Sequence, residues 1–177
     1  MWYTIARDKG ELMRFLIALF LFPAILLADH LPDNLITRGK EETVLCGIDV
    51  IRSHDSDLLK KFGKPTKYLK YPEAGVDEAE IRWNVDGSII RAYINADHVA
   101  YSVEVSGKAG AITKTGRGLS LGQTLADLER IYGKKYWKQG NEITLQWDDK
   151  TAYDPTEMRV KIDNGLIVTI TLFVMEE

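Results

Sequence analysis

Ser53, His54 and Asp55 are the residue types of a nucleophile, its base and the group that orients the base, but they stand consecutively. A working triad brings its three side chains together from separate segments, which neighbours in sequence cannot do. These three are expected to open a helix instead. The histidines, His30, His54 and His98, share no helical or strand spacing with one another or with Cys46, so no zinc pattern is expected. Asp148, Asp149, Asp154 and Glu157 lack the alternating oxygens and central glycine of a calcium loop, and a solvated loop is expected there. Residues 107–118, GKAGAITKTGRG, contain neither the Gly-Lys-Ser/Thr ending of a phosphate loop nor the dinucleotide spacing, and read as a flexible join. No catalytic residue, metal site or cofactor is expected from these patterns.

A different chemistry follows two short apolar segments. GKPTKYLKY (63–71) and GKKYWKQG (133–140) place lysines among Tyr68, Tyr71, Tyr136 and Trp137. Aromatic rings give rigid contact area and lysines steer an acidic partner. The same pattern also suits a lysine-guarded edge strand whose rings cover the core, which is the simpler expectation.

The elements that would position these residues come in two series. Thr124 and Asp127 have capping-box spacing, Leu125, Leu128, Ile131 and Tyr132 share one helical face, and Gly133 can end the helix in a left-handed turn. Ser53 or Asp55 can cap an earlier helix whose face is Leu58, Leu59 and Phe62, ended by Gly63. After each helix the apolar period becomes two. Ile81, Trp83 and Val85 alternate with Arg82 and Asn84, and Ile143, Leu145 and Trp147 alternate with Thr144 and Gln146. Hairpins follow at about 89–95 and 99–105, and at 158–162 and 166–174, the second turning through Asp163-Asn164-Gly165. The expected fold is therefore α+β. Two tandem helix-plus-three-strand repeats, 47–108 and 118–177, flank a linker at 109–117 and form antiparallel sheet or sheets with helices on one face.

Ahead of these lie a polar lead-in (29–46) and the run FLIALFLFPAILLA (15–28), with Arg14 before it and Asp29 after it. Fourteen helical residues span about 21 Å, against roughly 30 Å of hydrocarbon. A signal peptide over 1–28 is expected, cut after Ala28, with Met1 or Met13 as the start. The mature part is then expected in the periplasm or outside the cell, touching membrane only through that peptide; the alternative is that the peptide stays uncleaved and tethers the chain. Net charge is −3 for the whole chain. Residues 1–28 hold three basic and two acidic residues, so their removal leaves 20 basic and 24 acidic residues and a charge of −4. Such a field gives no reason to expect nucleic acid as the partner. With 45% hydrophobic residues the chain can build a core. Its one cysteine, Cys46, excludes an internal disulfide and is expected to be a buried thiol.

GLSLGQTLADLERIYG (118–133) resembles the opening helix of the repeat in SmpA/BamE-type outer-membrane assembly lipoproteins, and similar repeats stand in tandem in β-lactamase-inhibitor proteins. The resemblance implies a helix packed on an antiparallel sheet and a job in binding proteins without catalysis. Two features depart from it: no lipid-attachment cysteine follows the apolar run, and no disulfide is possible. No functional residue is carried over. The expected function is a non-enzymatic binding module that engages another envelope protein through an open sheet face. Residues expected on that face are Arg82, Asn84, Arg91, Tyr93, Ser102, Glu104, Thr144, Gln146, Lys161, Thr169, Thr171 and Phe173, placed there by alternation alone. The alternatives are a small-ligand carrier with a cavity between two sheets and an envelope hydrolase.

Overall fold

A computed structural model describes residues 41–71, 78–147 and 156–174. The expected leader, His30 and the acidic residues Asp148, Asp149 and Asp154 lie outside the described residues.

Helix α1 spans Asp55–Phe62 and α2 spans Leu125–Tyr132. Two turns of helix are too short to persist alone, so packing must hold them. For α2 the capping box forms as expected: Thr124 N–H donates to Asp127 Oδ2 (3.0 Å) and Asp127 N–H to Thr124 Oγ1 (3.4 Å). For α1 the N-cap is His54, where Ser53 or Asp55 was expected. Its N–H donates to Asp57 Oδ2 (3.3 Å), while the Ser53 hydroxyl turns back to accept from Asp49 N–H (2.9 Å). Both helices stop at a glycine, Gly63 (φ 73°, ψ −153°) and Gly133 (φ 87°, ψ −172°). That region is essentially closed to residues with a Cβ and lies far in ψ from the left-handed turn expected at Gly133.

The strands are β1 (Val44–Leu45), β2 (Ile48–Asp49), β3 (Lys67–Tyr71), β4 (Glu78–Val85), β5 (Ser88–Ile94), β6 (Ala100–Gly107), β7 (Trp137–Gln139), β8 (Glu142–Gln146), β9 (Thr156–Asp163) and β10 (Leu166–Val174). The first two form a small hairpin. The other eight make one antiparallel sheet in the order β3-β4-β5-β6-β10-β9-β8-β7. Each helix is thus followed by four strands, where three were expected, because both lysine-and-aromatic segments are strands at the two edges. The hairpin turns at Asp86-Gly87 and Asn164-Gly165 carry the positive φ values that tight turns require.

One face of the sheet is apolar. Trp83, Ile90, Val105, Ile170, Val160 and Ile143 succeed one another across six strands, and all are essentially inaccessible. Phe62 of α1 packs on Trp83 with ring centroids 5.2 Å apart, and Trp83 Nε1 donates to Gly63 O (3.1 Å). Tyr132 of α2 meets Trp147 edge-on at 5.7 Å. Both helices therefore cover the same face. Between them the β1–β2 hairpin touches β6 and β10, burying Leu45, Ile48 and Val50.

The lead-in and the linker depart from expectation. Residues 41–46 are integral to the core. Glu42 is 3% exposed, and its carboxylate accepts from Val44 N–H (3.1 Å), Arg117 N–H (3.0 Å) and Tyr132 OH (2.7 Å). The expected flexible join at 109–117 is bonded down: Cys46 N–H donates to Lys114 O, Gly116 N–H donates to Val44 O, and Thr113 and Thr115 are buried. No helix among the described residues is long and apolar enough to cross a membrane.

Candidate functional site

The second face of the sheet is built by the polar members of the same alternation. Three rows run across it. The first holds Leu69, Glu80, Tyr93, Ser102, Phe173, Glu157 and Gln146. The second holds Lys67, Arg82, Arg91, Glu104, Thr171, Arg159, Thr144 and Trp137, and the third Asn84, Ile89, Ser106, Thr169, Lys161, Glu142 and Gln139. All twelve residues expected on one face stand on it.

Exposure divides the rows. In the first, Glu80, Ser102, Glu157 and Gln146 are buried, and Thr144 of the second is buried too, so the expected contact residue Gln146 offers no surface. Arg159, Lys161, Asn84, Ile89 and Glu142 are exposed. An open groove of about 580 Å³ lies over the middle of the face, lined by residues of β6, β8, β9 and β10 including Glu104, Arg159, Lys161, Thr171 and Phe173.

Buried carboxylates need charged or hydrogen-bonding partners, and both here find an arginine two residues along the same strand. Glu80 accepts from Arg82 Nη2 (2.7 Å) and the Tyr71 hydroxyl (2.9 Å), and Arg91 Nε lies 3.3 Å away as an ion pair without a hydrogen bond. Burial alone would raise its pKa, but the Arg82 and Tyr71 hydrogen bonds, with the charges of Arg82 and Arg91, pull it below the usual carboxylate value. Arg91 also reaches Glu104 at 3.1 Å. Glu157 has one cation, Arg159, with Nε 2.6 Å away, and burial keeps its pKa raised. Arg159 is stacked on Phe173, 4.8 Å from the ring centroid.

The sequence alone missed Glu80, Glu142, Glu157 and Arg159. Starting β9 at 158 hid Glu157, which reads as part of an acidic loop and is in fact a buried strand residue. Extending the two-residue period back from Lys161 through Arg159 to Glu157 is the signal that finds those two.

The expected aromatic residues do not form one patch. Tyr71 and Trp137 stand on the polar face at opposite edges of the sheet. Tyr68 pairs with Ile81 on the helix side, and Tyr136 donates to Glu129 of α2 (2.8 Å). Tyr68, Tyr71 and Trp137 are each about two-fifths exposed, so they do not cover the core.

The chemistry-bearing residues elsewhere are placed as follows. Ser53, His54 and Asp55 open α1, as expected. Asp55 Oδ2 faces His98 Nδ1 at 3.1 Å, a surface pair from segments 43 residues apart. Cys46 is buried, and burial pushes its thiol up to about 12 despite the nearby Lys61. No group of three or more His, Cys, Asp or Glu residues that could hold a metal ion occurs among the described residues.

No protein-family model matches the chain, and no curated protein matches it. Two solved structures resemble it. One is a DUF4309 family protein, YjgB, from Bacillus subtilis, with a TM-score of 0.44 and 15% identity over 73% of this chain and 83% of that one. The other, from Streptococcus mutans, is described as a "putative beta-lactamase inhibitor protein"; its TM-score is 0.35 and its identity 14%, over 75% of this chain and 89% of that one. No residue role is transferred from either.

Proposed function

We propose that this chain is an exported, non-enzymatic module of the cell envelope that binds another protein through the polar face of its sheet. The observation that carries the reading is the asymmetry of the sheet. One face is covered by two helices and a hairpin, while the other presents two accessible rows of side chains, in the first of which Arg82, Arg91, Glu104 and Arg159 are held in place by ion pairs. Ordered polar groups with an exposed Ile89 and rim aromatics are suited to a flat macromolecular contact, where preorganisation lowers the cost of binding. The carrier alternative needs a cavity between two sheets, and these eight strands form a single sheet.

Two further parts belong to this reading. The segment 1–28 acts as a signal peptide removed after Ala28. The body arises by duplication of a helix-and-meander unit, supported by the matching pairs Phe62–Trp83 and Tyr132–Trp147 and by the mirrored strand order.

Photo-crosslinking tests the face. A photoreactive residue at Ile89 or Thr169 is expected to capture an envelope protein, and the same residue at Lys60 or Ala126 on the helix side is expected to capture none. Capture from the helix side alone, or from neither, would overturn the proposal.

A further inference from the structure

We propose that the middle of the polar face reads a carboxylate: Arg159 and Lys161 of β9, with the hydroxyls of Thr169 and Thr171 opposite them on β10, accept one aspartate or glutamate side chain from a loop of the protein partner. The inference rests on the polar-face reading and narrows it to a chemistry.

Of the three arginines on this face, Arg82 and Arg91 are committed to Glu80 and Glu104, with side chains 32% and 26% exposed. Arg159 is held differently. Glu157 fixes its Nε and Phe173 backs its plane, yet the side chain remains 51% exposed. A guanidinium has five N–H donors in a rigid fork; this arrangement uses the Nε donor, and the side chain lines the groove. A fork already immobilised loses little side-chain entropy on meeting a carboxylate. Lys161, two residues along β9 in the adjacent row, is exposed and has no side-chain partner among the described residues. By register Thr171 stands opposite Arg159 and Thr169 opposite Lys161, so hydroxyl donors flank both cations.

Charge complementarity limits the occupant to a single negative charge. Glu104 and Glu142 also line the groove, and Glu157 lies beneath Arg159. With Arg91 on Glu104, three cations balance these three carboxylates, so the groove holds no surplus positive charge for a phosphate dianion or a run of acidic residues, whereas one carboxylate can form a directional pair with the Arg159 fork.

The test uses the full chain, isotope-labelled, with N-acetyl-aspartic acid amide as the probe and N-acetyl-asparagine amide and inorganic phosphate as comparisons. The aspartate probe is expected to shift the Arg159 Nε–Hε signal and the β9 and β10 amides saturably, about fivefold or more tightly than the asparagine probe. Arg159→Lys keeps the charge and loses the fork, and Lys161→Gln alters only an exposed position; each is expected to weaken the aspartate probe by a similar factor, and Lys161→Gln does so without moving the unfolding midpoint. Equal binding of the two amide probes, tighter binding of phosphate, or unchanged binding by both variants overturns the inference. The Ile89 crosslink separates this failure from that of the parent reading. Capture that persists undiminished in Arg159→Lys refutes the carboxylate reader and leaves the face standing, while absence of capture from any polar-face position in the unmodified chain refutes the face itself.

Discussion

The Glu42 carboxylate should be among the most sensitive positions in the molecule, although it precedes every element that the sequence makes visible. It is 3% exposed and accepts three hydrogen bonds: from Val44 N–H, Arg117 N–H and Tyr132 OH. Glu42→Gln keeps the shape but turns one acceptor into a donor. With the amide oxygen toward Arg117 and Tyr132, the new NH2 faces Val44 N–H, leaving one buried donor unsatisfied at about 1–3 kcal/mol. Glu42→Leu orphans the Val44 and Arg117 N–H groups, while the Tyr132 hydroxyl keeps Thr115 Oγ1 at 2.7 Å, and should cost several kcal/mol, about twice the Gln effect. For chains of 150–250 residues each kcal/mol moves Tm by roughly 2–4 °C. Tyr132→Phe removes the partner hydroxyl. Because Glu42→Gln and Tyr132→Phe weaken the same contact, a double-mutant cycle should show a coupling of about 1 kcal/mol. Urea unfolding followed by tryptophan fluorescence reads all four variants, since Trp147 meets Tyr132 edge-on. Additivity within about 0.3 kcal/mol, or a Glu42→Leu variant as stable as the parent, would refute the network.

The two buried carboxylates of the polar face should respond to pH with opposite signs. Glu80 is held below its ordinary value, so its stabilising effect is present above the unfolded-state value and disappears as pH falls through the folded one. Glu157 is held above its ordinary value, so its contribution is full at acid pH and is lost as pH rises through the folded value. Stability of Glu80→Gln and Glu157→Gln relative to the parent, measured from acid to neutral pH, should therefore diverge in opposite directions. Gly133→Ala meets no atom within 4 Å, yet its φ of +87° should cost about 1–3 kcal/mol in thermal unfolding. Native Cys46 should resist alkylation at pH 8 and react at the rate of global opening, because its thiol is buried and pushed up to about 12.

What the sequence discloses here is local. The capping box of α2, the alternation of β4 and β8 and the Asn164-Gly165 turn are each written in fewer than ten consecutive residues, and the structure reproduces them. Alternation also fixes sides, which is why the twelve expected polar residues share a face. Relations between distant segments leave no such trace. The role of Glu42 depends on Arg117 and Tyr132, 75 and 90 residues away. Burial of Gln146 and Thr144 likewise cannot be deduced from a period that assigns them to the polar side. Residues 109–117 are small and polar, as a mobile linker is, and only their bonds to 44–46 reveal a fixed path. The strands β3 and β7 stand at the two edges, where the lysine-guarded pattern suits an edge strand, yet the three-strand count omits them because they lack the apolar period.

The seam between β6 and β10 has a consequence for how the molecule is assembled. Each of these strands completes the meander of its own half, and each finds its second hydrogen-bonding neighbour only in the other half. During synthesis, β6 must wait some sixty residues before its mate emerges, its outer N–H and C=O groups unsatisfied by sheet. Closure across so long a stretch of chain is slow, and the waiting edge is a template for any other extended strand nearby. Loss of 166–174 would thus do more than delete a strand: it would turn the middle of the sheet into two sticky borders, making aggregation, with no stable half-molecule, the expected fate of such a truncation.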